Sequence, residues 1–386
     1  MPRDLDVNFM LGMPIVKRGP AYTAIRLAEQ MNRDAVHCRV FGSINRWPRS
    51  DISVPVTTGF ILNEHWSNRL PYRLTGRFTY PMAEKRLLKA LKAGGTGFPL
   101  VYTWGETSLA LARRLKAEGI AVVREKTNCG KFTSKRILDA AYAGLGVAPA
   151  HTITPALVEK EREETHLADA IFCPSPMVAR SLIEIGIAQE RLIPTSYGWE
   201  PARFTGTDKA LEPIAGPTFL FVGFVCVRKG AHILLDAWQR AGVSGRLVLV
   251  GDIEPLIAER YADVLARDDV TYMKFTPNVG ALYRSADWFI FPTLEEGGPQ
   301  VTYEAAGNAV PSIVSEMGAG AFTRDGIDGH VVRSDDPEAW AAAIASLGAD
   351  RDRREQYARN ALEHSATFTW EMVGEQRRAA LVDRFG

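Results

Sequence analysis

The sequence predicts an α/β protein made of two Rossmann-like domains, each a parallel sheet wrapped by helices. Three observations predict it. Short strand-like apolar runs alternate with helix-length amphipathic segments almost throughout the chain. A stretch dense in helix and strand breakers, with Pro194, Gly198, Pro201, Gly206, Pro213, Gly216 and Pro217, divides the chain near residue 200. The length, 386 residues, exceeds the roughly 100–200 residues of one domain. An apolar share of 46% with 24% charged residues belongs to a globular chain and excludes long disordered regions.

In the first half the pattern predicts strands near 5–11, 35–41, 99–103, 120–124, 170–173 and 191–194, with helices near 20–31, 106–118, 131–144, 154–168 and 176–186. In the second half it predicts strands near 218–223, 246–250, 270–274, 288–291 and 311–314, and helices near 230–241, 255–266, 279–285, 299–308, 337–347 and 351–366. The expected domains are 1–198 and 199–366.

The N-terminus places acidic residues before a short apolar run, the reverse of a signal peptide. No window reaches the ~18 apolar residues of a membrane span. Cys38, Cys129, Cys173 and Cys226 are scattered, without a CxxC pair or a His at metal-ligand spacing. A cytoplasmic protein is the expectation. The net charge of +1 hides an asymmetry: residues 1–209 hold 29 basic and 20 acidic side chains, residues 210–386 hold 17 and 25. The two halves are expected to face different partners.

The most informative segment is FPTLEEGGPQVTYEAAGNAVPSIVSEMGAG. An apolar strand runs into Glu296, Gly297 and Gly298, and a helix is expected to start with Pro299 in its first turn. The glycines permit close backbone approach to a ligand, and the free amides beyond Pro299, at Gln300 and Val301, form with the helix dipole an anion site that fits a diphosphate. Glu296 lies ahead of this helix and Glu304 inside it, two carboxylates at different depths suited to sugar hydroxyls. Local capping explains acidic residues near a helix start equally well when each is taken alone. Upstream, in FLFVGFVCVRKGAHILLDAW, Arg228 and Lys229 precede Gly230 and another helix. Cations are disfavoured at a helix N-terminus, so their placement calls for an anion.

These motifs resemble the retaining glycosyltransferases of family 4 (glycosyl transferases group 1), whose signature is a Glu, seven residues, then Glu. Ala305, Ala306, Gly307, Pro311 and the run Asp328 to Val332 extend the likeness. So do Gly251-Asp252, Tyr197-Gly198 and TFTWEMV, over most of residues 190–386. The resemblance implies a GT-B fold, with the two domains facing across a cleft and a C-terminal helix, 367–386, returning to the N-terminal domain. It implies that Glu296 contacts the transferred sugar and Glu304 the nucleotide ribose. It implies that Lys229, with Arg228, neutralises the leaving diphosphate, and that the base stacks near Phe275 in the loop Lys274-Phe275-Thr276. The donor site includes the strand end at Gly223; where many family members follow it with Arg, this chain has Phe224, so Arg228 is the expected second cation. The co-substrate implied is a UDP- or GDP-linked sugar, with no cofactor and no metal. The reaction implied is transfer to a hydroxyl of a glycan or lipid-linked acceptor, in cell-surface polysaccharide or glycolipid biosynthesis.

The N-terminal half is less typical of that family. Its first loop has the single Gly19, with Lys17 and Arg18 bringing positive charge to a helix start. The strand IAVVREKTNCGKF has none of the His that the family often carries there. Arg124, Glu125, Lys126 and Asn128 crowd its end instead and are expected to face the cleft on the acceptor side. Residues 65–94 contain Arg69, Arg73, Arg77, Lys85, Arg86, Lys89 and Lys92 against the one acid Glu84, interleaved with aromatics. Such segments rest on anionic lipid headgroups, although a solvated helix face explains the same charge. No nucleic-acid module accompanies it, and a peripheral site at the inner membrane face is the expectation. Two other readings stay open: a binding protein of this fold without catalysis, favoured by Phe224 and the missing His, and a nucleotide-sugar epimerase, which would consume donor without an acceptor.

Overall fold

The structure, a computed structural model, describes residues 3–60, 64–333 and 335–386. A first parallel sheet contains β1 Leu5–Leu11, β2 Val36–Gly42, β3 Val56–Thr58, β4 Phe98–Trp104, β5 Ala121–Glu125, β6 Ala170–Cys173 and β7 Leu192–Pro194, in the order 3-2-1-4-5-6-7. A second contains β8 Thr218–Val222, β9 Arg246–Val250, β10 Val270–Met273, β11 Trp288–Phe291, β12 Ser312–Ser315 and β13 Gly329–Val332, in the order 10-9-8-11-12-13. Both sheets have the same winding, and each reverses its strand order once, at β1/β4 and at β8/β11. Ligands of open α/β sheets bind at the carboxyl ends of strands beside such a reversal. Because helices cover both faces, the central strands are buried throughout rather than on alternate residues: all seven residues of β1 are buried, Asp6 and Asn8 included.

Helix Gly19–Met31 starts at a proline in its first turn and buries Ala21, Ala24, Ile25, Leu27, Ala28 and Met31. The last helix, Trp370–Phe385, packs on it so closely that a Cβ on Gly374 would meet the Gln30 Cβ at 2.3 Å. Trp370, Val373 and Leu381 of this returning helix join the core of the first domain. Arg377, fully buried, pairs with Glu125 at 2.7 Å and donates to the Ser196 carbonyl at 2.9 Å. The chain therefore crosses between domains twice, out at Ser196–Trp199 and back at Phe368–Trp370. The crossings are bonded to each other, Trp199 N–H to the Phe368 carbonyl at 3.0 Å and Trp370 N–H to the Trp199 carbonyl at 3.3 Å.

Among the elements that the sequence reading missed or misplaced, three are instructive. Strand β3 is only three residues long, too short to show a period. Helix Tyr72–Ala93 buries Thr75, Thr79, Ala83 and Leu87, a spacing of four made largely of small or polar residues, so no apolar stripe announces it. The helix expected over 255–266 is two, Pro255–Arg260 and Ala262–Leu265, broken at Tyr261. Among the described residues no helix is long and apolar enough to cross a membrane.

Candidate active site

The cleft between the domains lies where both strand-order reversals face each other. It holds about 710 Å³ of empty space. Gly19, Pro20, Thr23, Trp104, Thr127, Asn128 and Tyr197 line it from one domain; Val222, Gly223, Lys229, Phe291, Glu296, Gly298, Pro299, Gln300 and Val301 line it from the other. Apart from Tyr197, which follows β7, these residues stand at the carboxyl ends of β1, β4, β5, β8 and β11 or at the start of the helix that follows, on or next to the strands where each sheet turns.

On the donor side, β8 ends at Gly223, and a 3-10 turn, Val227–Lys229, leads to Gly230 and helix Ala231–Ala241. Gly230 has φ +70°, and a Cβ there would lie 1.9 Å from the Pro292 carbonyl oxygen, so only glycine lets this loop pack on the end of β11. The Lys229 ammonium contacts Glu296 Oε2 and lies 5.0 Å from the Phe291 ring centre. Burial, and then the neighbouring Arg228 guanidinium, push this ammonium down to about 7, while Glu295 works the other way. Arg228, one-third exposed, uses Nη1 alone: 3.1 Å to the Glu295 carbonyl, 3.4 Å to Glu295 Oε2 and 3.7 Å to Glu296 Oε2. Two cations and two carboxylates thus neutralise each other in a low-dielectric pocket. A diphosphate entering it would find both cations within reach.

The loop after β11 departs from expectation in two ways. Pro299 is the N-cap, and the helix is Gln300–Gly307. Gly297 and Gly298 serve the approach of the other domain rather than of a ligand alone: a Cβ on Gly297 would sit 1.9 Å from the Thr127 carbonyl oxygen, and one on Gly298 would meet the Tyr197 ring at 2.8 Å. The Gln300 side chain is also an interdomain contact, Nε2 to Thr23 Oγ1 at 2.9 Å. Glu304, expected in the donor site with Glu296, stands further along the same helix and is not among the residues that line the cleft. Burial raises its carboxyl above the ordinary range against the pull of Arg203, 3.5 Å away on the interdomain segment, and of the Tyr283 hydroxyl at 3.4 Å. Phe275 is 79% exposed beyond β10 and does not line the cleft.

On the acceptor side the structure corrects several expectations. Gly19 lines the cleft, but Lys17 is drawn to Asp51 at 3.2 Å and Arg18 is exposed ahead of the helix; neither lines it. Of the charged run ending β5, only Asn128 reaches the cleft. Arg124 pairs with Glu164 at 2.9 Å and Lys126 with Glu161 at 2.7 Å, both carboxylates supplied by helix Pro155–Leu167. Burial would raise the Glu161 carboxyl, but Lys126, the Lys131 amide and Arg124 outweigh it and leave it lowered. Glu125 is turned inward, held by Arg377 and by the hydroxyls of Tyr102 and Tyr197. These three residues border a separate charged cavity instead. In the basic segment Arg86 also turns inward, to the carbonyls of Thr58 and Phe60.

Trp104 and Glu295 carry no motif in the sequence, and Tyr197 is marked there only as part of the interdomain turn. Trp104 ends β4 at the reversal, a position that the strand-end rule alone marks. Glu295 is 2% exposed and takes hydrogen bonds from Ser134 and Asn128 of the first domain. No local pattern could have revealed partners so far away in the chain.

Residues 216–350 match the family model described as glycosyl transferases group 1. A relative from Corynebacterium urealyticum, a D-inositol 3-phosphate glycosyltransferase, is 28% identical over 210 residues, 48% of this chain and 50% of that protein. The chain spans about half the length of the curated relatives it matches. Solved structures match nearly end to end. Sucrose-phosphate synthase from Thermosynechococcus elongatus has a TM-score of 0.72 at 19% identity, covering 99% of each chain. Anabaena HepE in complex with UDP has 0.69 at 15% identity, covering 98% of this chain and 100% of that one. Doubly wound sheets in this strand order, a returning C-terminal helix and the matched family region agree: the chain carries a glycosyl transferases group 1 domain within a GT-B fold.

Proposed function

We propose that the protein is a retaining glycosyltransferase of the family 4 type, moving a sugar from a UDP- or GDP-linked donor to a hydroxyl of a glycan or lipid-linked acceptor. The observation that carries this is the meeting of Lys229, Arg228, Glu296 and the Gln300 helix start at the β8/β11 reversal. Lys229, Arg228 and the amides of Gln300 and Val301 stabilise the departing diphosphate, Glu296 releases Lys229 to it and turns to the transferred sugar, and Glu304 takes the ribose. The acceptor hydroxyl enters from the side of Gly19, Trp104 and Asn128 and attacks on the face that the diphosphate leaves. Neither a side-chain nucleophile nor a metal is required by this arrangement. The similarity to a structure solved with UDP supports the uridine donor. A thermal-shift screen of UDP-, GDP- and ADP-sugars tests the reading: a ligand that binds only the folded state raises apparent stability by mass action. No shift with any of them refutes it.

The acceptor is presented at an anionic membrane face, where it enters surface polysaccharide or glycolipid. Trp66, Leu70, Leu74 and Phe78 are all about half exposed or more, Trp66 on a short helix Glu64–Arg69, Leu70 just after it and the other two on helix Tyr72–Ala93, with Arg69, Arg73 and Arg77 exposed among them. Exposed apolar and cationic side chains in one segment suit the headgroup boundary, and each base contributes about 1 kcal/mol near an anionic leaflet. Co-sedimentation with anionic vesicles, weakening with salt and with neutralisation of Arg73, Arg77, Lys85 and Lys89, is the expected result; equal recovery in the supernatant with neutral and anionic vesicles at low salt leaves a soluble acceptor.

A further inference from the structure

We infer that Glu295 is a positioning residue that ties the diphosphate clamp to closure of the two domains, through one helix of the N-terminal domain. The inference rests on the donor-site reading above and adds a residue outside the Glu296–Glu304 pair. Helix Lys131–Gly144 touches the loop bearing Arg228 and Lys229 through an acidic side chain at each end. Near the helix start, the Ser134 hydroxyl donates to Glu295 Oε1 at 3.0 Å, while Asn128 Nδ2, just ahead of the helix, lies 3.4 Å from Oε2. Eight residues on, about 12 Å along the helix, the Tyr142 hydroxyl donates to Glu254 Oε1 at 2.6 Å. The other Glu254 oxygen accepts from the Val227 amide at 2.8 Å. Glu295 in turn holds Arg228 by its carbonyl and by Oε2. The basic loop is therefore braced on both sides by carboxylates, and each carboxylate is engaged by the opposite domain.

The chemistry of a buried carboxylate gives this arrangement a direction. With the domains apart, Glu295 loses its two neutral donors and is left with the cations beside it, Arg228 first because it already reaches Oε2; an ion pair drawn up in that way withholds the guanidinium from a ligand. With the domains together, Ser134 and Asn128 satisfy Glu295, and Arg228 keeps a single nitrogen on it. Nε and Nη2 then have no protein partner among the described residues and are available to phosphate oxygens. Cation placement and cleft closure become one event, so diphosphate binding and closure favour each other.

Ser134 and Tyr142 touch no part of the donor cleft lining, so their effect on nucleotide affinity separates coupling from contact. The test is calorimetric titration of the full chain with UDP and with GDP. Ser134→Ala and Tyr142→Phe are each expected to weaken the nucleotide that the wild type binds by about fivefold, and Ser134→Thr to return it to within twofold. Loss of melting temperature alone, with unchanged affinity in the Ser134→Ala/Tyr142→Phe double variant while Lys229→Ala abolishes binding, overturns the inference and leaves the donor site standing. Wild-type affinity in Lys229→Ala as well, or no binding of either nucleotide by the wild type, refutes the donor-site reading and the inference with it.

Discussion

The two sheets share one winding order, yet they treat the charges at their strand ends in opposite ways. At the end of β5, Arg124, Glu125 and Lys126 are each buried against a dedicated partner from another element. After β8, Arg228 and Lys229 have only the two glutamates of the neighbouring loop, and Arg228 keeps most of its donors unused. One set is structural and closed; the other is provisional, a group of charges held ready for exchange. Both places are carboxyl ends of parallel strands, and what separates them is whether the charge is already spent on the protein.

The comparison breaks most sharply on stability. Lys126→Met removes the ion-pair partner of the buried Glu161 carboxylate, leaving it the Lys131 amide, and is expected to cost about 3–5 kcal/mol, measured by urea unfolding, with UDP affinity unchanged within twofold. Next in size, Lys229→Ala is expected to lower turnover by about a hundredfold and Arg228→Ala by about tenfold, the scale of removing charge stabilisation from a leaving group, followed by release of nucleotide diphosphate. Wild-type kcat in both variants contradicts the clamp. Smaller again, Glu304→Gln is expected to weaken free nucleotide diphosphate by about tenfold through one charged hydrogen bond; unchanged affinity places the ribose contact elsewhere.

The smallest effect comes from pH. With its pKa near 7 in the free protein, the Lys229 ammonium is fully present only below that value, whereas a bound diphosphate raises its pKa. Affinity is therefore full in acid and falls as pH rises past 7, because binding must then recover a proton. A loss of roughly fivefold between pH 7 and 8 follows from that linkage, read by titration at both values, and Lys229→Arg, charged throughout, should flatten it.

Much of this was legible in the sequence because it is local. Apolar runs gave the strands of both sheets except β3 and β13, and the juxtaposed Arg228, Lys229 and Glu296 marked the cleft, which Lys229 and Glu296 line. The misreadings all involve partners distant in the chain. Arg124 and Lys126 read as cleft residues because Glu161 and Glu164, which absorb them, are 35 and 40 residues away. Glu295 drew no reading because Ser134, which engages it, lies 161 residues earlier. Gly297 and Gly298 read as a ligand loop because the surfaces they accommodate, Thr127 and Tyr197, belong to the other domain.

The paired crossings of the chain bear on how such a cleft opens. A single tether would let one domain swivel, slide or tilt relative to the other. Here the outgoing and returning segments are joined backbone to backbone at Trp199 and Thr369, and the returning one is anchored by Arg377 to Glu125 and to Ser196 of the outgoing one. Two plies fastened along one line behave as the spine of a book: the halves swing about it and resist lateral slip. Aperture then becomes the main mechanical coordinate of the molecule, and the register between the two walls of the cleft is preserved through every swing.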